Sequence, residues 1–136
     1  MNMKTTRLEI KSDYANIRTA DQALRDMLEK QGVKEEVIGV CELASHELLN
    51  NIVDHAYVDN PAGVIQITLT IDHKTLEIRT EDDGLPSTLD LSAVTMPDPL
   101  DLMEGGYGLA IMLSQMDSVN YSIENGKNVW KLQKTI

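Results

Sequence analysis

The N-terminal part of the chain shows one short alternating segment followed by hydrophobic residues at helical spacing. Thr5 to Lys11 alternates loosely between polar and apolar residues and predicts a strand. Ser12 or Asp13 is suited to cap the helix that follows, and Gly32 is suited to end it. The apolar face of this first helix consists of Ile17, Ala20, Leu24, Met27 and Leu28.

A second helix is predicted directly after the first. Glu35 and Glu36 open it, because acidic side chains are favourable at the positive end of a helix dipole. It ends before Asn60-Pro61, since the residue that precedes a proline avoids the helical conformation. Its predicted apolar stripe is Val37, Val40, Cys41, Ala44, Leu48 and Ile52.

The hydrophobic period then changes from helical to alternating. Asp72-His73 is suited to a turn between two alternating segments, so the pattern predicts a hairpin with one buried face. The apolar residues on that face are Ile65, Ile67, Leu69, Ile71, Leu76 and Ile78. Residues 81–106 break the pattern, and an irregular segment of that length is usually functional or disordered. Tyr107 to Met116 predicts a helix. Val119 to Ile123 and Val129 to Leu132 predict a second hairpin around Asn125-Gly126, a dipeptide suited to a type I′ turn.

The predicted order of elements is β-α-α-β-β-loop-α-β-β. Helices in this order pack on one face of a mostly antiparallel sheet, so the predicted fold class is α+β in two layers. The chain has 136 residues, which suits one domain covering 1–136, and its composition is that of an ordinary soluble globular protein.

Charge and composition exclude several functions. The formal net charge is −10, which argues against binding nucleic acid or an anionic membrane surface. No apolar run approaches the ~20 residues of a membrane-spanning helix, and no export signal is visible. The single cysteine, Cys41, cannot form an intramolecular disulfide, so we expect a cytoplasmic protein. Residues 35–126 hold seventeen acidic side chains and only two basic ones. This acidic excess is consistent with a bound metal, with a basic partner or with a solvated surface.

The first motif with chemical potential lies on the second predicted helix. Glu47, Asn51 and His55 are four residues apart, so they lie along one helix face beside the apolar stripe. A carboxamide oxygen such as that of Asn51 suits Mg²⁺, which usually shares its ligands with phosphates and water. Taken alone, the motif is also consistent with a solvated helix edge.

Two further motifs follow. Asp82-Asp83-Gly84-Leu85-Pro86 comes directly after a strand, where a carboxylate can accept a hydrogen bond from an amino group and Gly84 lets the backbone turn close to a ligand. Gly105-Gly106-Tyr107-Gly108-Leu109 opens a helix, where backbone N–H groups can hold phosphate. Taken alone, the first also fits an acidic turn and the second a flexible linker.

The three motifs in this order resemble the nucleotide site of the Bergerat-fold (GHKL) ATPases, which include gyrase, histidine kinases and mismatch-repair ATPases. Within that superfamily the chain most resembles the bacterial anti-sigma factor serine-protein kinases. The supporting segments are Glu47…Asn51…His55-Ala56-Tyr57, Asp82-x-Gly84-x-Pro86, Pro97-Asp98, Gly105-Gly106-x-Gly108-Leu109, Met116-Asp117-x-Val119-x-Tyr121 and Gly126-Lys127-Asn128-x-Trp130-x-Leu132. The resemblance implies a Bergerat-type two-layer sandwich and covers nearly the whole chain.

The resemblance also implies roles for particular residues. Glu47 corresponds to the catalytic base that activates the hydroxyl of a partner protein, and Asn51 to the residue that binds Mg²⁺. The implied nucleotide-binding residues are Asn51, Asp82 for the adenine amino group, Gly84 near the base, Gly106 and Gly108 at the phosphates, and Leu109. Residues 87–104 correspond to a lid over the nucleotide.

The implied function is partner switching with ATP and Mg²⁺. Such a protein phosphorylates an anti-anti-sigma (antagonist) protein on serine and sequesters a sigma factor or a similar target, and it is a possible homodimer. One departure is that residues 80–126 hold no Lys or Arg, although lids in this family often supply a basic side chain. This departure keeps a second interpretation open, a nucleotide-binding or nucleotide-free sequestering module without kinase turnover. The catalytic domain of a histidine kinase is a weaker third, since the chain has no phosphoacceptor hairpin.

Overall fold

The computed structural model describes residues 3–58, 60, 62–87 and 108–136. Within these ranges the strands are β1 (Lys4–Lys11), β2 (Val64–Ile71), β3 (Thr75–Asp82), β4 (Ser118–Glu124) and β5 (Lys127–Thr135). The helices are α1 (Tyr14–Lys30), α2 (Glu35–Asn51) and α3 (Gly108–Gln115), and a π-helical turn, Ile52–Ala56, continues α2. The elements follow one another in the predicted order.

The five strands form one antiparallel sheet in the order β1-β2-β3-β5-β4. β5 therefore lies between β3 and β4, and Asp82 at the end of β3 is directly opposite Asn128 of β5. One face of the sheet carries the predicted alternating residues and joins the helices in a single hydrophobic core, while Gln66, Thr68 and Thr70 are on the more exposed face. The predicted α+β class is confirmed.

The predicted caps and turns are present. The Asp13 side chain accepts a hydrogen bond of 2.8 Å from the Ala15 N–H, which caps α1. Gly32 follows α1 with φ +74°. Asn125 and Gly126 both have positive φ, 54° and 77°, as a type I′ hairpin turn requires. No helix in the described ranges is both long and apolar enough to cross a membrane.

Two details of α2 differ from the prediction. Val37 and Val40 are only partly buried, and Ile38 and Leu49 are fully buried instead. The buried surface is displaced in this way because α2 packs against α1 and α3 as well as contributing to the core beneath it. The regular α-helix also ends at Asn51, and the predicted helical segment continues only as the π-helical turn.

The predicted irregular segment 81–106 also begins later than expected. Glu81 and Asp82 belong to β3, because their backbones pair with Gln66 and Ile65 on one side and with Val129 and Asn128 on the other. Of the predicted lid, 87–104, only Ser87 lies within the described residues.

Candidate functional site

The helix α2 carries two of the predicted site residues. Glu47 and Asn51 are one helical turn apart and are both half-buried. Within the described ranges, neither side chain has a hydrogen-bond or ion-pair partner. Among those residues there is also no group of three or more His, Cys, Asp or Glu side chains that would hold a metal. A divalent cation at Asn51 would therefore need ligands from a phosphate and water.

The π-helical turn brings the end of α2 against the loop that follows β3. The Ala56 carbonyl accepts a hydrogen bond of 2.8 Å from the Leu85 N–H. A Cβ atom on residue 84 would lie 2.5 Å from the Ala56 oxygen and 2.7 Å from its carbonyl carbon. Glycine is therefore required for this backbone contact, which joins the first motif to the second. The predicted approach of Gly84 to a base stays a prediction.

Asp82 is a buried carboxylate with one unpaired oxygen. Leu76, Ile78, Thr80 and Asp82 point to the same face of β3, so the strand carries Asp82 into the interior, where it is 2% exposed. Its Oδ1 accepts hydrogen bonds from the Gly84 N–H at 2.9 Å and from Asn128 Nδ2 at 2.8 Å. Its Oδ2 has no partner in the described residues.

The electrostatics of Asp82 follow from this burial. Loss of solvent raises the pKa of Asp82, and the hydrogen bonds from Asn128 and Gly84 oppose that rise only in part. A buried oxygen without a donor is costly, so native proteins rarely leave one unpaired without a ligand or a water nearby. Asp82 Oδ2 is therefore an acceptor without a donor in the described residues, and an N–H group such as the adenine amino group has the chemistry to pair with it.

The loop after Asp82 is held by hydrogen bonds to residues distant in sequence. The Asp83 N–H donates to the Tyr57 hydroxyl at 2.8 Å, and the Ser87 N–H donates to the Tyr121 hydroxyl at 2.9 Å. Since Gly84 and Leu85 donate as described above and Pro86 has no N–H, every backbone N–H from 83 to 87 has a partner. The loop is therefore fixed in place by the tertiary structure, unlike a solvated acidic turn.

Tyr57 joins three parts of this region. Its hydroxyl donates to the Val64 carbonyl at 2.8 Å while accepting the Asp83 N–H, and its ring lies against Gly63. Burial raises the pKa of the Tyr57 hydroxyl, so the proton that it donates stays in place. Tyr57 thus links the end of the π-helical turn to the start of β2 and to the loop after β3.

Asn128 holds the loop from the opposite side. Its Nδ2 donates to Asp82 Oδ1 at 2.8 Å and lies 3.1 Å from both the Gly84 and the Leu85 carbonyl oxygens. Its Oδ1 accepts a hydrogen bond of 2.6 Å from the Tyr121 hydroxyl. No role was predicted for Tyr57, Tyr121 or Asn128, although all three lie in segments that carry the family resemblance. Nothing in the sequence pairs them with the loop.

Of the third motif, Gly105-Gly106-Tyr107-Gly108-Leu109, only the part from Gly108 onward lies within the described residues. Gly108 begins α3, and α3 packs against α2, so this helix starts on the same layer as Glu47 and Asn51. Gly106 and the side chain of Leu109 lie outside the described residues. The phosphate-binding roles of Gly106, Gly108 and Leu109 therefore stay predictions.

Comparison with known proteins shows which family this sequence resembles. A family model described as a histidine kinase-like ATPase domain matches residues 10–134. The serine-protein kinase RsbW of Oceanobacillus iheyensis is 32% identical over 124 residues, which cover 85% of this chain and 76% of that protein. The anti-sigma F factor of Clostridium acetobutylicum is 30% identical over 104 residues, which cover 73% of this chain and 70% of that protein.

Solved structures share the fold. The structure of the RsbU and RsbW domains of Rv1364c from Mycobacterium tuberculosis aligns with a TM-score of 0.66 and 17% identity, over 96% of this chain and 32% of that one. The SiaB-SiaC complex from Pseudomonas aeruginosa aligns with a TM-score of 0.65 and 14% identity, over 96% of this chain and 89% of that one. The sequence matches and this shared fold together show that the chain belongs to the anti-sigma factor serine-protein kinases, within the histidine kinase-like ATPase superfamily.

Proposed function

We propose that this protein is an ATP-dependent serine-protein kinase that regulates transcription by partner switching. It phosphorylates an anti-anti-sigma protein on serine and sequesters a sigma factor or a similar target. The observation that carries the proposal is the buried Asp82 carboxylate, whose Oδ2 has no donor among the described residues although every backbone N–H of the loop that follows is paired. Such an acceptor is suited to an adenine amino group, and it would repel the carbonyl oxygen at the same position of guanine.

Asn51 is the proposed Mg²⁺ ligand. Its carboxamide oxygen is a hard donor, and the side chain is half-buried and has no competing partner in the described residues. The absence of a multi-carboxylate cluster in those residues suits a Mg²⁺ ion held jointly with nucleotide phosphates. Gly106 and Gly108 are the proposed sources of backbone N–H groups for the same phosphates, and Leu109 completes the proposed nucleotide-binding set.

Glu47 is the proposed general base. ATP supplies the phosphoryl group, and the acceptor is the serine hydroxyl of the partner protein. A serine hydroxyl is a weak nucleophile, and a carboxylate within hydrogen-bonding reach can accept its proton. Glu47 suits this role because it is half-buried, lies one turn from Asn51 and makes no ion pair in the described residues that would restrain it.

Phosphoryl transfer requires positive charge, and residues 35–126, which carry the predicted site, hold only two basic side chains, Lys74 and Arg79. Residues 80–126 hold no Lys or Arg. Arg25 is bound by three carboxylates between α1 and α2, and Arg79 pairs with Glu81 on the face of β3 opposite Asp82. We therefore propose that Mg²⁺ and a basic residue of the partner protein neutralise the charge that develops during transfer.

The decisive experiment follows transfer from radiolabelled ATP to candidate anti-anti-sigma proteins of the same genome. Glu47→Gln keeps the shape of the side chain and removes the proton acceptor, so it should retain ATP binding and slow transfer by ~10²–10⁴. Glu36→Gln is the matched control, because Glu36 is an exposed glutamate on the same helix and its replacement should leave transfer unchanged.

Each outcome of this experiment has a separate meaning. Transfer retained by Glu47→Gln would exclude Glu47 as the base. Binding of ATP without transfer by the unmodified protein, with the correct partner present, would instead support a sequestering module. Light scattering on the same preparations tests the proposed homodimer.

A further inference from the structure

A continuous chain of hydrogen bonds runs from the first residue of the predicted lid to the buried carboxylate. The Ser87 N–H donates to the Tyr121 hydroxyl, which donates to Asn128 Oδ1 at 2.6 Å. Asn128 Nδ2 then donates to Asp82 Oδ1 at 2.8 Å. The chain ends at the carboxylate whose second oxygen, Oδ2, is unpaired in the described residues.

The chemistry of each group fixes the direction of this chain. Tyr121 has a single hydroxyl proton and already accepts the Ser87 N–H, so that proton points to Asn128. Asn128 Nδ2 faces three oxygens, and a flipped carboxamide would place its own oxygen against all three. The orientation of the Asn128 carboxamide is therefore determined, and Asp82 Oδ1 is the carboxylate oxygen that accepts its hydrogen bond.

The aromatic ring of Tyr121 is held independently of its hydroxyl. Tyr121 on β4 is directly opposite Trp130 on β5, and the two ring centroids are 4.8 Å apart with the planes tilted by 45°. Replacement of Tyr121 by Phe keeps this ring contact. It removes only the hydroxyl, which is the acceptor for Ser87 and the donor for Asn128.

We propose that Tyr121 is a positioning residue for nucleotide recognition: through Asn128 it fixes the Asp82 carboxylate so that Oδ2 faces the ligand, and through Ser87 it anchors the start of the predicted lid. The inference rests on the proposed function, because it assumes that Asp82 Oδ2 accepts the 6-amino group of adenine. Tyr121 lies on β4 and acts on the Asp82 carboxylate through Asn128.

The test compares two nucleotides by calorimetry, ATP and purine riboside triphosphate, which lacks the 6-amino group. The unmodified protein should bind ATP more tightly than the analogue. Tyr121→Phe should weaken ATP binding roughly five- to tenfold and weaken binding of the analogue by less than about twofold, because only ATP uses Asp82 Oδ2. Ser122→Ala is the matched control, since it removes a side-chain hydrogen bond to Glu124 from the neighbouring position on β4.

The ratio of the two affinities separates positioning from general destabilisation, which would weaken both nucleotides alike. A Tyr121→Phe protein that keeps the ratio of the unmodified protein overturns the inference and leaves the proposed function intact. An unmodified protein that does not distinguish the two nucleotides overturns adenine recognition by Asp82, on which the inference depends.

A second measurement needs no variant. The Ser87 amide should exchange slowly with solvent in the nucleotide-free protein, because Tyr121 accepts its proton there. Rapid exchange at Ser87 would refute the anchoring role even where Tyr121→Phe fails to fold.

Discussion

Gly84→Ala tests whether the contact between the π-helical turn and the loop after β3 supports the site. The added Cβ would lie 2.5 Å from the Ala56 carbonyl oxygen, whereas ordinary contacts begin at 3.4 Å. The obstacle is backbone, which cannot rotate away as a side chain would. Either the π-helical turn or the loop must move by close to 1 Å.

The expected cost has two parts. Overpacking of this kind typically costs ~1–3 kcal/mol. Displacement of the Ala56 carbonyl also weakens its hydrogen bond with the Leu85 N–H, which is worth about 1 kcal/mol. Together these give roughly 2–4 kcal/mol of lost unfolding free energy, and for a domain of this size a fall in Tm on the order of 10 °C. ATP affinity should fall as well, because the same movement displaces Asp82.

Calorimetric unfolding and ATP titration measure both effects on the same sample. Gly39→Ala is the control, because Gly39 is an exposed residue within α2 and a Cβ there meets nothing within 4 Å. It should stabilise the protein by ~0.5–1 kcal/mol, since alanine favours the helix over glycine. Unchanged Tm and unchanged ATP affinity in the Gly84→Ala protein would show that this backbone contact does not support the site.

Three other substitutions test the hydrogen bonds of Tyr57, the pH dependence due to Asp82 and the metal-binding role proposed for Asn51. Tyr57→Phe leaves the Asp83 N–H and the Val64 carbonyl without their partner, so denaturant unfolding should show a loss of ~1–3 kcal/mol; no loss would mean that solvent replaces the hydroxyl. The pKa of Asp82 is raised in the nucleotide-free folded protein, so above pH 3.8 the folded state binds more protons than the unfolded state, and the free energy of unfolding should fall as the pH rises to that raised pKa. Asp82→Asn should remove this part of the pH dependence. Parallel pH profiles for the variant and the unmodified protein would contradict this prediction. Asn51→Ala should weaken Mg-ATP binding but not metal-free ATP binding in EDTA, with unchanged Tm; equal loss in both would exclude Asn51 as the metal ligand.

Much of the fold was predictable because local patterns agree with it. The alternating residues from Ile65 to Ile78 can bury one face only in a strand, and Asn125-Gly126 tolerates the positive φ values of a tight hairpin. The α2 stripe was predicted less well, since a single helical period does not reveal that α2 also packs against α1 and α3. No pattern in the sequence predicted the π-helical turn after Asn51, whose Ala56 carbonyl accepts a hydrogen bond from Leu85 in the loop after β3.

The candidate site, like the fold, was predictable in part from the sequence. The motif order in the sequence was enough to predict Glu47, Asn51 and Asp82 as nucleotide-site residues, because their spacing resembles that of one ATPase superfamily. How Asp82 is held could not be predicted from the sequence, since Tyr57 and Asn128 are far from it in the chain and reach its loop through packing and strand order. A hydrogen-bond partner across the sheet depends on register and on the insertion of β5 beside β3, and neither is encoded in any one segment.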